Sequence, residues 1–129
     1  MTNNLRIYGA KACVYLEYSG DLKSLTKNLE NKLNLPEFWF DTDQDFPYNE
    51  FAMCETLGFE VTIANSEILE NYKYSIEFST SNSTQEILYD RMHDISLWFA
   101  NYISLIAKIN TAVLNNNNET FTYFKGGNV

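Results

Sequence analysis

The chain is poor in the residues that build the commonest sites. Cysteine occurs twice, at Cys13 and Cys54, far apart and without C-x-x-C spacing, so both are expected as reduced, buried thiols. The five glycines, Gly9, Gly20, Gly58, Gly126 and Gly127, form no glycine-rich loop, and none can cradle a phosphate as a group. Histidine occurs once, at His93. No stretch approaches the roughly 20 apolar residues that span a bilayer. The first residues, MTNNLRIYGAKACVYL, hold no apolar run behind a basic flank, so no signal peptide is expected and the reading is cytoplasmic. Lysine, arginine and histidine are missing altogether from Leu33 to Tyr72.

That last absence is matched by a presence. The same forty residues hold Glu37, Asp41, Asp43, Asp45, Glu50, Glu55, Glu60, Glu67 and Glu70, so the formal charge of −8 is −9 here and +1 elsewhere. Phe38, Trp39, Phe40, Phe46, Tyr48, Phe51 and Phe59 are interleaved with the acids. One sign of charge confined to a third of a chain builds a focused negative surface. Such a surface excludes direct nucleic-acid binding, which needs Lys and Arg on a common face. It fits a protein with a basic partner; the plain alternative is acidity that serves solubility. With 129 residues, 45% hydrophobic and 16% aromatic, the chain is expected to form one domain with a core, its tail 125–129 frayed.

Periodicity places the elements. Ala12–Tyr18 alternates as a half-buried strand, with Leu5–Tyr8 as an earlier strand or its lead-in. Asp21 can cap a helix whose Leu22, Leu25, Leu29 and Leu33 share one face, ending before Pro36. Glu37–Asp41 reads as a short strand, Asp41–Asn49 as a surface loop, and Leu57–Ala64 and Tyr72–Ser79 as strands joined by a connection at 65–71. Leu88, Met92, Ile95, Phe99, Tyr102, Ile106, Ile109 and Val113 recur at steps of four and three, which predicts one helix over 84–114. At 1.5 Å per residue that helix is about 46 Å long, against a radius of gyration of about 14 Å for such a domain. Thr120–Phe124 is expected as a last edge strand. The fold class is therefore α+β: a mainly antiparallel sheet of four to five strands packed on a long C-terminal helix, with a shorter helix near residues 21–34. Phe38, Phe40, Leu57, Phe59, Val61 and Ile63 are expected in the core.

Catalytic and metal chemistry find little support. Asp41-x-Asp43-x-Asp45 copies the start of a calcium loop, but the sixth position is Phe46 instead of Gly and the twelfth is Ala52 instead of Glu. His93 and Asp94 are neighbours on a predicted helix and point about a hundred degrees apart, so they form no acid–base pair. Cys54 lies among acids, which disfavours a thiolate. No metal, cofactor or enzymatic activity is expected, and a small hydrolase with an acidic cleft is the weakest alternative.

The segments DTDQDFPYNEF, LGFEVTI and YKYSIEF, within residues 36–80, resemble small acidic bacterial immunity proteins of contact-dependent growth inhibition and related polymorphic-toxin systems. The resemblance implies a non-enzymatic cytoplasmic antidote that binds one cognate toxin, frequently a nuclease, and blocks its active-site groove. A nuclease must present a basic groove to bind phosphates, and an acidic protein can occupy it. On that expectation Asp41, Asp43, Asp45, Glu50, Glu55 and Glu60 supply the field, and Trp39, Phe46 and Tyr48 are the anchors. No membrane partner is expected. The alternative is a structural or regulatory module that forms a homodimer through the 84–114 helix.

Overall fold

A computed structural model describes residues 9–42, 50–80 and 93–126. Its elements are β1 (Ala10–Glu17), α1 (Leu22–Leu33), β2 (Trp39–Thr42), β3 (Glu50–Thr56), β4 (Phe59–Leu69), β5 (Tyr72–Thr80), β6 (His93–Asp94), α2 (Ser96–Ala107), β7 (Asn110–Leu114) and β8 (Phe121–Phe124). One eight-stranded sheet runs β2-β3-β4-β5-β1-β7-β8, with β6 beside the start of β1. The pairings are antiparallel except the two-residue β6–β1 contact. Strands β2 to β5 form a hairpin meander, and α1 carries the chain from β1 at the sheet centre out to β2 at its edge.

The long C-terminal helix does not form, and this corrects the expected architecture. His93 and Asp94 are extended, α2 has twelve residues, and Lys108 stops it in a left-handed conformation with φ 60°. The chain then returns to the sheet as β7. A step of four residues comes back to the same face in a helix and in a strand alike, so Ile109 and Val113 fitted a helical seam while belonging to a strand. The local alternation Ile109, Thr111, Val113 decides the matter, since all three point inward and are buried. The β-branched side chains at these steps favour a pleated strand over a helical turn. Thr111 Oγ1 donates to the Ala100 carbonyl at 2.9 Å, which satisfies the buried hydroxyl and ties β7 to α2.

The first helix forms as its sequence directs. Asp21 Oδ1 accepts from the Ser24 amide at 2.8 Å as an N-cap. Asn34 closes the helix in the left-handed region, two residues ahead of Pro36. Leu22, Leu25, Thr26 and Leu29 face inward, and Lys23, Lys27 and Lys32 face out. Glu30 Oε2 accepts from the Phe38 amide at 2.8 Å, so α1 fixes where β2 begins and buries Phe38.

Two further expectations are corrected around the meander. Residues 65–69 continue β4 past an irregularity in its pairing with β5, where a connection was expected. Strand β3 was not foreseen; of the loop expected over Asp41–Asn49, Asp41 and Thr42 belong to β2 and residues 43–49 lie outside the described residues. Leu57, expected in the core, is 93% exposed at the tip of the β3–β4 hairpin. Thr56 pairs with Phe59, which leaves Leu57 (φ 52°) and Gly58 (φ 83°) as a two-residue loop with both residues left-handed. That geometry favours Asn-Gly, and a leucine there is strained by roughly 1 kcal/mol. Leu57→Asn is therefore expected to raise stability by about 1 kcal/mol in dilute solution, read as a shift of the urea midpoint with an unchanged slope.

The core lies between the sheet and the two helices, which share one face. One row of inward side chains crosses the sheet as Val14, Ile76, Ile63 and Ala52, all fully buried. Phe40, expected in the core, instead ends that row exposed on edge strand β2, where no further strand among the described residues covers it, with Lys23 Nζ 5.9 Å from its ring centre. At the other edge, the Gly126 amide donates to Asn110 Oδ1 at 2.7 Å, so close to the Ile109 backbone that a Cβ would lie 2.3 Å from its nitrogen.

Candidate functional site

Because both helices pack on one face, the strand alternation turns the other residues onto an open face. Register places Trp39, Met53, Thr62, Glu77 and Cys13 in one row across β2, β3, β4, β5 and β1. The next row holds Glu55, Glu60, Ser79 and Lys11. A third holds Asp41, Phe51, Ala64, Ser75, Tyr15, Ala112 and Tyr123. Trp39, Asp41, Glu55 and Glu60, proposed from sequence, therefore share this face, and all four are exposed. Glu50 does not join them. It pairs with Thr42 and, two residues from buried Ala52, falls on the helix side of the sheet edge. Asp43, Asp45, Phe46 and Tyr48 lie outside the described residues.

Glu55 and Glu60 stand directly opposite each other at the β3–β4 pair. Like charges in that position destabilise a sheet, typically by a few tenths of a kcal/mol at an exposed site. Glu77, two residues from Ser79 on β5, is the diagonal neighbour of Glu60. Glu60, Thr62, Glu77, Phe78 and Ser79 line a shallow cavity of about 140 Å³. Among the described residues no group of three or more His, Cys, Asp or Glu is placed to hold a metal ion.

The acidity shows in the neighbouring groups. Burial pushes the Cys13 thiol up to about 11, and the charges of Glu77 and Asp94 add to it. Cys13 Sγ contacts Glu77 Oε2 at 3.8 Å. Tyr15 is raised to about 12, by burial first and then by Cys13 and Glu77. Cys54 is raised to about 11 by burial, then by Glu30 and Glu55. Tyr72 and Tyr74 are raised too, again by burial first, with Glu17 near the one and Asp21 near the other. Both thiols are free and protonated at neutral pH, which suits structural roles over nucleophilic ones.

At its far end the open face turns aromatic. Tyr15 meets Phe121 edge-on with ring centres 5.8 Å apart, Phe121 lies 6.4 Å from Tyr123, and Tyr72 lies 5.9 Å from Tyr123. The face thus runs from Trp39 and carboxylates to a tyrosine-rich patch, a composition suited to protein contact. Sequence reasoning missed Glu77 and this patch as parts of the site. The parity of Tyr15 and Glu77 on their strands carried that signal, but only the pairing register brings Glu77 beside Glu60 and sets Tyr15 at the aromatic end.

His93 and Asp94, expected on a helix, lie instead on β6. His93 is exposed, and Asp94 Oδ1 accepts from the Ser96 amide at 2.9 Å and from Ser96 Oγ at 2.6 Å. The Cys13 amide in turn donates to Ser96 Oγ at 2.9 Å, so the carboxylate is engaged in tying α2 to β1. Among the described residues no helix is long and apolar enough to cross a membrane. Comparisons of the chain with protein-family models, with curated proteins and with solved structures find no match.

Proposed function

We propose that this protein is a cytoplasmic, non-catalytic antidote of the bacterial immunity class, which neutralises a cognate basic toxin domain of nuclease type. It binds through the open face of its sheet and seats Trp39, Asp41, Glu55 and Glu60 in the toxin's phosphate-binding groove, with Asp43, Asp45, Phe46 and Tyr48 contributing from the stretch between β2 and β3. One observation carries the reading. Glu55 and Glu60 are set against each other on a face that neither helix covers, beside an exposed tryptophan. The arrangement costs the free protein stability, and a cationic partner relieves it on contact. Lysine and arginine in a nuclease groove supply such charge, and the carboxylates mimic the spaced phosphates they hold. Trp39 adds a large rigid contact at small entropic cost.

A search of the neighbouring genes for a basic toxin domain, followed by co-expression with the domain found, tests this reading. Wild-type protein should restore growth, and the folded Trp39→Ala, Glu55→Lys, Glu60→Lys triple variant should lose that protection. Growth that stays arrested with wild-type protein overturns the function. Full protection by the triple variant overturns the site.

A further inference from the structure

On the opposite side of the molecule, helix α2 carries a second surface of different chemistry. Its sequence, SLWFANYISLIA, contains no charged residue. Phe99, Ala100, Ile103 and Ala107 face the sheet, whereas Leu97, Trp98, Tyr102, Leu105 and Ile106 face outward and are exposed, Trp98 by 59% and Leu105 by 62%. The neighbouring α1 turns lysines outward instead. A water-facing helix normally shows a polar outer stripe, whereas on α2 Asn101 is the one polar side chain exposed among these apolar ones.

The exposed face continues into a pocket. Leu33, Leu35, Leu57, Phe59, Phe78 and Tyr102 are among the residues that line an almost wholly apolar cavity of about 220 Å³ between the end of α1, the β3–β4 hairpin and α2. Leu57, strained and nearly fully exposed, stands at its rim, where asparagine would be the more stable residue. Rings stack outward from this cavity in one series: Phe59 on Phe78 at 5.0 Å, Phe78 on Phe99 at 4.7 Å, Phe99 by Trp98 at 6.3 Å, and Trp98 on Tyr102 at 5.4 Å. A protruding ring and an apolar hole thus lie side by side on one surface.

We infer that this surface, the outward face of α2 with the pocket beside it, is where two copies of the chain pair. Charge selects the occupant. A second copy also carries −8, and most approaches would set carboxylates against carboxylates. Here α2 offers none, and α1 alongside presents Lys23, Lys27 and Lys32 with Glu30 already paired to Lys27 at 3.6 Å. A basic partner, by contrast, gains nothing from an uncharged face. A two-fold axis sets the protruding residue of each copy against the hole of the other, so a surface holding both is self-complementary. Size sets the strength. A twelve-residue helix is about 18 Å long, and a stable interface needs about 800 Å² per partner, so the pocket must join the contact and the affinity is micromolar. The open sheet faces then point away from the axis, free for other contacts.

Sedimentation velocity of the full chain from about 1 to 200 µM tests the pairing. Wild-type protein should pass from monomer to dimer across that range. Trp98→Glu and Leu105→Glu, both at exposed positions, should each weaken dimerisation at least about tenfold while circular dichroism stays that of the folded monomer. Trp39→Ala, on the opposite face, should dimerise as wild type. A wild-type monomer at the highest concentration overturns the inference, as does a dimer that survives both α2 substitutions or one that Trp39→Ala disrupts. If one α2 variant fails to fold, the other decides. None of these outcomes depends on toxin binding.

Discussion

Ile76→Ala is expected to lower the unfolding free energy by about 3 kcal/mol and the melting temperature by about 10 °C. Ile76 is fully buried on β5, the strand between β4 and β1, and its register partners are Ile63 on one side and Val14 on the other. Neighbours fixed on two ladders cannot collapse into the space that three missing carbons leave. The transfer loss and the cavity therefore add. Ile68→Ala provides the contrast. Ile68 is 63% exposed on the irregular end of β4, and its truncation should change stability by no more than about 0.5 kcal/mol. Urea unfolding of both variants checks the pair. A small effect at Ile76 would mean that the sheet centre is not the core of the folding unit.

The sequence announced this sheet centre more clearly than it announced the sheet. Alternation of large apolar residues at Val14 and Leu16, at Val61 and Ile63, and at Tyr74, Ile76 and Phe78 is unambiguous, because a step of two returns to the same face only in a strand. Steps of four are shared by both regular structures, and Ile109 and Val113, the two seam residues on the β7 side of the break, are one such step apart. No proline or glycine lies between Ile95 and Leu114 to mark the break. The break is made by Lys108 in a left-handed conformation, which lysine adopts without advertising it. Strand β3 was not assigned from the sequence, because its inward residues Ala52 and Cys54 are small and give little apolar alternation between Glu50 and Thr56. Leu57 was misplaced because a leucine fits an inward strand position, and Gly58 beside it, the one local sign of a turn, is also tolerated within a strand.

The residues of the candidate site were named singly from the sequence, but not their arrangement. Trp39, Asp41, Glu55 and Glu60 fall on one face because of pairing registers that no single strand encodes. Glu50, chemically their equal, is on the other face because it stands two residues from Ala52, so the Thr42–Glu50 pair shares the face of the Phe40–Ala52 pair. The apolar face of α2 was invisible for a simpler reason. Within one long helix, Leu97, Trp98 and Leu105 only widened a stripe that had a sheet to cover. In a twelve-residue helix already packed through Phe99, Ala100 and Ile103, the same residues have no sheet left to meet.

The carboxylate pair on the open face leads to the sharpest functional expectation. Glu60→Lys turns a like-charge cross-strand pair into an opposite-charge one with Glu55, and should stabilise the free protein by about 0.5 kcal/mol, about 2 °C in melting temperature. The gain is small because both side chains are exposed and screened. The same substitution should slow association with a cationic toxin domain about tenfold and flatten its dependence on salt, since a charge of the wrong sign then stands in the contact. Glu50→Lys makes the same change in net charge on the other side of the sheet. At physiological salt the screening length is about 8 Å, close to the thickness of one layer, so Glu50→Lys should alter association by no more than about twofold. Stopped-flow association at two salt concentrations, with thermal melts of the free variants, separates the cases. Opposite signs at Glu60, stability up and binding down, identify a residue kept for contact at the expense of the fold. Equal slowing by both variants would mean that net charge alone steers the partner and that the open face is not where it lands.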